Sequence, residues 1–267
     1  MTANTLQIGI FADNLRLPLR EGIAKTAELG LSSFQMYTTS GEAFVSGEVT
    51  PDTMSAAQRR EFCRFYEGLG LTLSATCAES FNTGFVIPER NEVMIPRMYA
   101  QIDLAVDLGA SIVTTHIGTI PAEHNAVWHI LLDAMNRVGC YAERHGVVLA
   151  AETGHSSGPV TREFIDSLDT LGIRINFDPA NLVMLGFDLD EALTALMPYI
   201  VHTHAKDGVR NGGQYHETPL GQGEVPWSHY IACLKAGAYD GAYTIEREVG
   251  ADPLADIIAA IDFLRQF

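Results

Sequence analysis

The sequence predicts an α/β fold: a closed (β/α)8 barrel forming a single domain over residues 1–267. Three observations lead there. Short apolar runs alternate with helical patterns eight times along the chain. Four helical patterns end on a glycine with a strand directly after it (AELG-L, YEGLG-L, AVDLG-A and ERHG-V), the signature of a capped helix delivering the chain to a parallel strand. The length, 267 residues, is near that of one eight-unit barrel. A doubly wound open sheet is the alternative.

The elements follow in order. QIGIFA opens the chain as a strand, and a helical pattern runs from it to Gly30. SSFQMY is the second strand. Its helix spans Met54 to Gly70, with Thr50-Pro51-Asp52 as the start signal. LTLSATCAE is the third strand, followed by a helix over Asn91–Gly109. SIVTTHIG is the fourth, with a helix over Ala122–Gly146. VVLAAETG is the fifth, with a short helix after Thr161. IRINFDP is the sixth, with a helix over Asp188–Met197. YIVHTHAKD is the seventh, and a long Gly-rich loop separates it from a helix over Trp227–Ala236. AYTIERE is the eighth, and Asp252–Phe267 closes the chain as a helix.

Composition narrows the function. Apolar residues make up 47% and charged residues 19%, which suits a sizeable core. A formal charge of −16 repels a phosphate backbone, so no nucleic-acid partner is expected. The four cysteines are scattered without a CxxC pair, as in a cytoplasmic protein with reduced thiols. MTANTLQIGIFADN lacks the basic and apolar regions of a signal peptide. No apolar run approaches the roughly 18 residues of a membrane span.

Glu152, Asp178, His204 and Glu246 each lie at or just past the downstream end of a strand run. Downstream strand ends surround one mouth of such a barrel, so these four converge. The intervals Glu152–Asp178 and Asp178–His204 are both 26 residues, one strand–helix unit, and His204–Glu246 is 42, one unit plus the long loop. Alternation along a strand puts His202, His204 and Lys206 on one face, and Thr244, Glu246 and Glu248 on another. A lone glutamate at a strand end is ordinarily a solvated loop residue, and a lone strand histidine a hydrogen-bonded core residue. Four on consecutive late strands are another matter, because buried uncompensated charge is costly and a cation removes that cost. Three carboxylates and one imidazole suit Mn²⁺ first, then Mg²⁺ or Co²⁺, with Zn²⁺ admissible.

AAETG, NFDPANL, VHTHAKD, PLGQGEVPW and TIERE resemble segments of the xylose isomerase-like TIM barrel family, the sugar phosphate isomerase/epimerase superfamily. The likeness spans nearly the whole chain and is most specific in H-x-K-D at His204–Asp207 and P-L-G-x-G at Pro219–Gly223. It implies one divalent cation on Glu152, Asp178, His204 and Glu246, and an acid/base pair in Glu152 and Glu246. It also implies a small carbohydrate as partner and a homodimer or homotetramer. In that chemistry the carbon beside a carbonyl loses its proton to one glutamate, leaving an enediolate that the cation stabilises, and the other glutamate returns a proton. Return to the same carbon epimerises, return to the neighbour isomerises, and loss of a β-hydroxyl makes a lyase.

His116, His155, Lys206 and Arg210 are the expected substrate contacts. The bland alternatives are a satisfied strand-end histidine for His116, a rim lysine for Lys206 and a solvated arginine for Arg210. Trp227 is expected to pack the long loop on the barrel. Cys77 lies near the pocket without an evident base. Phe11, Tyr37 and Phe81 are candidates for an apolar wall, or for core. Gly212, Gly213, Gly221 and Gly223 read as pliable loop.

An isomerase or epimerase of a keto sugar is the first reading. A metal-dependent lyase or dehydratase of a 3-keto sugar or inosose is the second. An endonuclease IV-like nuclease and a non-catalytic sugar-binding barrel are remote. The nuclease needs further metal-binding histidines where Cys77 and Asn181 stand, and Asn181 also replaces a histidine of several ketose epimerases. Few basic residues near the mouth favour a free sugar over a phosphorylated one.

Overall fold

Strands buried on both faces read as largely apolar runs, and those read above do, with polar residues such as Gln35, Asn176 and His202 set among them. In the computed structural model, which describes residues 6–39, 48–79 and 84–267, eight of them close into a parallel barrel. The elements are β1 (Ile8–Phe11), α1 (Leu19–Glu28), β2 (Ser33–Tyr37), α2 (Ala56–Gly68), β3 (Thr72–Cys77), α3 (Pro88–Asp107), β4 (Ile112–Thr115), α4 (Ala126–Arg144), β5 (Val148–Glu152) and α5 (Gly158–Asp166). They continue with β6 (Ile173–Phe177), α6 (Pro179–Leu185), α7 (Leu189–Leu196), β7 (Ile200–Ala205), β8 (Asp207–Asn211), β9 (Gln214–Thr218), α8 (Trp227–Ala236), β10 (Tyr243–Ile245) and α9 (Pro253–Leu264). The barrel order is β1-β10-β7-β6-β5-β4-β3-β2, and β1 pairs with β2 to close it.

The glycine rhythm has its expected cause. Gly70 and Gly146 follow α2 and α4 at φ 75° and 69°, a left-handed conformation that glycine adopts without a Cβ clash. The core lies between strands and outer helices, with Phe34, Phe62, Ile102, Leu131, Phe164 and Leu234 at its centre. All four cysteines are free thiols. Among the described residues no helix is long and apolar enough to cross a membrane.

Four sequence expectations need correction. The start of α2 is Ser55, in a reciprocal capping box with Gln58, and not Thr50-Pro51-Asp52. Asn125 caps α4, so that helix begins four residues later than Ala122. A short helix, α6, follows β6 directly: Asp178 caps it, Pro179 starts it and Gly186 at φ 81° ends it. The stretch after β7 contains an antiparallel hairpin, β8–β9, paired from Asp207↔Thr218 to Asn211↔Gln214. Gly212 and Gly213 stand at its tip with φ of 57° and 86°, the paired positive values of a tight two-residue turn.

Candidate metal and catalytic centre

Register places the late strand ends at one level. Glu152 pairs with Asn176, Asn176 with His202, and His204 with Thr244, so Glu246 stands just past the end of β10. Ligand atoms of Glu152, Asp178, His204 and Glu246 all lie within 4.8 Å of one another. His204 Nδ1 is 3.1 Å from Glu246 Oε2, 3.6 Å from Glu152 Oε1 and 3.7 Å from Asp178 Oδ2. The four residues distant in sequence therefore meet.

Each is held by the local fold. The Oδ1 of Asp178 accepts from Asn181 N at 3.0 Å and caps α6, while its buried Oδ2 has no hydrogen-bond partner. Both Glu152 oxygens accept from amides: Oε2 from Asn176 Nδ2 at 3.1 Å and Oε1 from Asn181 Nδ2 at 2.8 Å. His204 Nε2 is 3.1 Å from Gln35 Oε1, whose own Nε2 donates to Thr114 Oγ1 at 2.8 Å. That leaves Nδ1 toward the carboxylates. Lys206 Nζ donates to Glu246 Oε2 at 3.0 Å and also pairs with Glu248. Below them His202 Nδ1 contacts Asn176 Oδ1 at 2.8 Å and its Nε2 meets Thr244 Oγ1 at 3.1 Å, which fixes the Asn176 amide toward Glu152.

Charge at the site is set by competition between burial and neighbours. Burial opposes ionisation of Glu152, yet His116 and His204 hold its carboxyl down at about 2. Burial likewise opposes Glu246, and His204 and Lys206 keep it well below the usual carboxylate range. For Asp178 burial prevails and its pKa rises. Burial works against the Lys206 charge, but Glu246, Asp178 and Glu248 raise it well above normal. His202 is driven down to about 3 by burial and by His204, so it is neutral.

A cation fits this set. A fully buried carboxylate oxygen without a hydrogen bond costs free energy unless positive charge meets it closely. Asp178 Oδ2 has Lys206 Nζ only at 3.9 Å and is aimed among three other ligand atoms. Hard oxygen donors with one imidazole suit a small divalent ion. A second group, Glu79, His116 and Glu152, also brings ligand-type atoms within 4.8 Å.

The centre floors a cavity of about 440 Å³ whose lining includes Glu79, His116, Glu152, Lys206, Glu246 and Glu248 together with Tyr37, Met184, Leu185 and Tyr215. A broader depression of about 770 Å³ lies between α5 and α7, around Arg162 and Glu191, and neither ligand group is there. His155 is exposed at the cavity wall, its ring centroid 5.2 Å from that of His116. Arg210 lies elsewhere: its Nη1 donates to Met184 O at 3.0 Å, its guanidinium packs over Gly186, and it does not line the cavity. Cys77 is buried with its thiol pushed up by burial and by Glu79, which leaves it protonated and a poor nucleophile. Phe11, Tyr37 and Cys77 form a small apolar cluster, with Phe11 and Tyr37 centroids 4.4 Å apart. Phe81 falls outside the described residues.

Two side chains in contact with the centre escaped the sequence reading. Gln35 supports His204, and its signal was an amide within a wholly buried strand. Glu79 bonds His116 Nδ1 at 3.1 and 3.2 Å, and it ends LTLSATCAE as the other acids end their strands. The P-L-G-x-G motif is also explained, since Asp207 accepts from Gly221 N, Gly223 N, Val225 N and Trp227 Nε1 at 2.9 to 3.2 Å. A Cβ on Gly223 would lie 2.1 Å from Asp207 Oδ1, so that approach requires glycine.

The model of the family described as "Xylose isomerase-like TIM barrel" matches residues 23–267. The chain belongs to that family. Among relatives, a putative L-ribulose-5-phosphate 3-epimerase of Haemophilus influenzae is 34% identical over 95 residues, 33% of each chain. An inosose dehydratase of Geobacillus thermodenitrificans is 24% identical over 161 residues, 52% of this chain and 54% of that one. These matches thus span a third to about half of the relatives' lengths. A xylose isomerase domain protein from Planctomyces limnophilus superposes with a TM-score of 0.84 at 24% identity, covering 98% of this chain and 97% of the other. At that identity the likeness establishes the fold shared within the family.

Proposed function

We propose that this chain is a divalent-metal-dependent isomerase or epimerase of a keto sugar or related hydroxy-ketone. One observation carries the reading: three carboxylates and an imidazole converge on one point, and a buried Asp178 oxygen there has no hydrogen-bond partner. Glu152, Asp178, His204 and Glu246 would hold the ion, Mn²⁺ by preference. When bound, it supplies Lewis acidity toward a substrate carbonyl oxygen.

The protein's own groups supply the rest. Glu152 and Glu246 both line the cavity and enter from strands separated by β6 and β7. One removes a proton from the carbon beside the carbonyl, and the other delivers one. The accepting glutamate must be ionised, a form that His116 and His204 favour at Glu152 and that His204 and Lys206 favour at Glu246, and the delivering glutamate must have taken a proton from solvent beforehand. Tyr37, Met184, Leu185 and Tyr215 offer apolar lining for the C–H groups of a sugar. A dehydratase is the second reading, favoured by the similarity to inosose dehydratase over half the chain.

Solvent-deuterium uptake into a panel of ketoses and inososes with added Mn²⁺ tests both. Label without elimination supports the first, loss of water supports the second, and no label in any substrate rejects both.

A further inference from the structure

A phosphate ester at neutral pH is an anion whose oxygens accept hydrogen bonds, so a site for it needs N–H groups or cations. A sugar hydroxyl both donates and accepts. In barrels of this kind the loops after the seventh and eighth strands commonly supply a phosphate site. Here those loops are already committed. Past β7, the seventh barrel strand, the N–H groups of Gly208, Gly221, Gly223 and Val225 all donate to the Asp207 carboxylate at 2.9 to 3.2 Å. The chain's own anion therefore fills that turn. Past β10, the eighth, Asp252 Oδ1 accepts from Ala255 N at 3.1 Å and caps α9.

The cations near the mouth are committed too. Among the described residues that line the cavity, Lys206 is the only lysine or arginine. Its Nζ lies 3.0 Å from Glu246 Oε2 and 3.9 Å from Asp178 Oδ2, and it also pairs with Glu248. Arg210 donates to Met184 O. Arg247, beside Glu246, is held by Glu217 at 2.6 Å and Asp256 at 2.8 Å. Arg16 donates to the carbonyls of Glu248 and Gly250 at 3.0 and 3.1 Å. Segments 1–5, 40–47 and 80–83, outside the described residues, contain no lysine or arginine. Facing the cavity instead are the acceptors Glu79, Glu152, Glu246 and Glu248, and the Glu248 side chain is 47% exposed. The proposed cation would not reverse this balance, because Glu152, Asp178 and Glu246 would surround it with three carboxylates.

We propose that the site takes an uncharged, unphosphorylated sugar or cyclic polyol, and that Glu248 sets this choice. Its carboxylate accepts from substrate hydroxyls and repels a phosphate group at the same place. This rests on the functional reading above, in its isomerase/epimerase or its dehydratase form, and names the substrate class of that same site.

The test measures solvent-deuterium uptake, with Mn²⁺ in excess, into D-fructose, D-xylulose and an inosose, and into D-fructose 6-phosphate and D-xylulose 5-phosphate. Label should enter a free compound with kcat/KM at least about 100-fold above that of any phosphate ester, the scale of a like-charge contact. In Glu248→Gln the kcat/KM of the ester relative to its free ketose should rise about tenfold, as one repulsive charge is removed. Calorimetric titration of the metal-free protein with inorganic phosphate should show no saturable binding. An ester labelled as fast as its free ketose would overturn the proposal, as would saturable phosphate binding that a free ketose displaces. An unchanged ratio in Glu248→Gln would overturn the role given to that residue. No label in any compound, free or phosphorylated, would instead reject the functional reading on which the proposal rests.

Discussion

The indole Nε1 of Trp227 donates to Asp207 Oδ2 at 3.0 Å, so the first residue of α8 is tied to the residue that follows Lys206. The same carboxylate collects the backbone N–H groups of Gly208, Gly221, Gly223 and Val225. Every partner is a donor. Asp207→Asn would turn an NH₂ toward N–H groups and lose at least two bonds, so we expect a loss of about 2–4 kcal/mol in urea unfolding. Trp227→Phe removes one donor and should cost less, about 1–2 kcal/mol. Equal stability of Asp207→Asn and wild type would show that this knot does not hold the loop.

Glu152→Gln and Glu246→Gln should each reduce deuterium uptake by at least about 100-fold, the usual scale of a lost acid or base. The two differ in their surroundings. Glu152 is met by the amide donors of Asn176 and Asn181, and a glutamine there sets NH₂ against NH₂. Glu246 is met by Lys206 and His204. Retained uptake in either variant removes that residue from the acid/base pair.

Much of this was legible in the sequence because barrel strands are largely apolar and the candidate ligand residues stand at or near their downstream ends. The four ligand-type positions needed only strand ends and unit spacing to be found. The hairpin was not found, although Val209–Asn211 and Gln214–Thr218 flank a two-glycine turn. Read as pliable, Gly212-Gly213 hid the pairing that its positive φ values allow. The short helix α6 was missed because seven residues show little periodicity, while its signals, Asp178-Pro179 and Gly186, lay in plain sight. Gln35 and Glu79 act through His204 and His116, and contacts between β2 and β7, or β3 and β4, have no local trace in the chain.

Gln35→Leu should weaken Mn²⁺ binding about 10–100-fold by titration calorimetry, the scale typical of groups that orient a ligating histidine. The amide holds His204 Nε2 and is fully buried, so leucine removes the contact while keeping most of the volume. His204→Ala should weaken binding further. Unchanged titration in His204→Ala would remove it from the ligand set.

Asp13 gives a pH signature outside the centre. Burial, only partly offset by the Tyr37 N–H that donates to Oδ2 at 3.0 Å, lifts its carboxyl from 3.8 to about 6. Between those values the folded protein holds a proton that the unfolded chain has released. The contribution is therefore complete below about pH 4 and is lost as pH rises through 6, by up to about 3 kcal/mol at 1.36 kcal/mol per pKa unit, and less where water screens the half-buried group. Asparagine keeps an acceptor for Tyr37 N without a charge to bury. Asp13→Asn should match wild type near pH 4 and exceed it near pH 7 in urea midpoints. A variant less stable than wild type at pH 7 would mean the ionised carboxylate, and not its protonated form, is what the fold favours at this position.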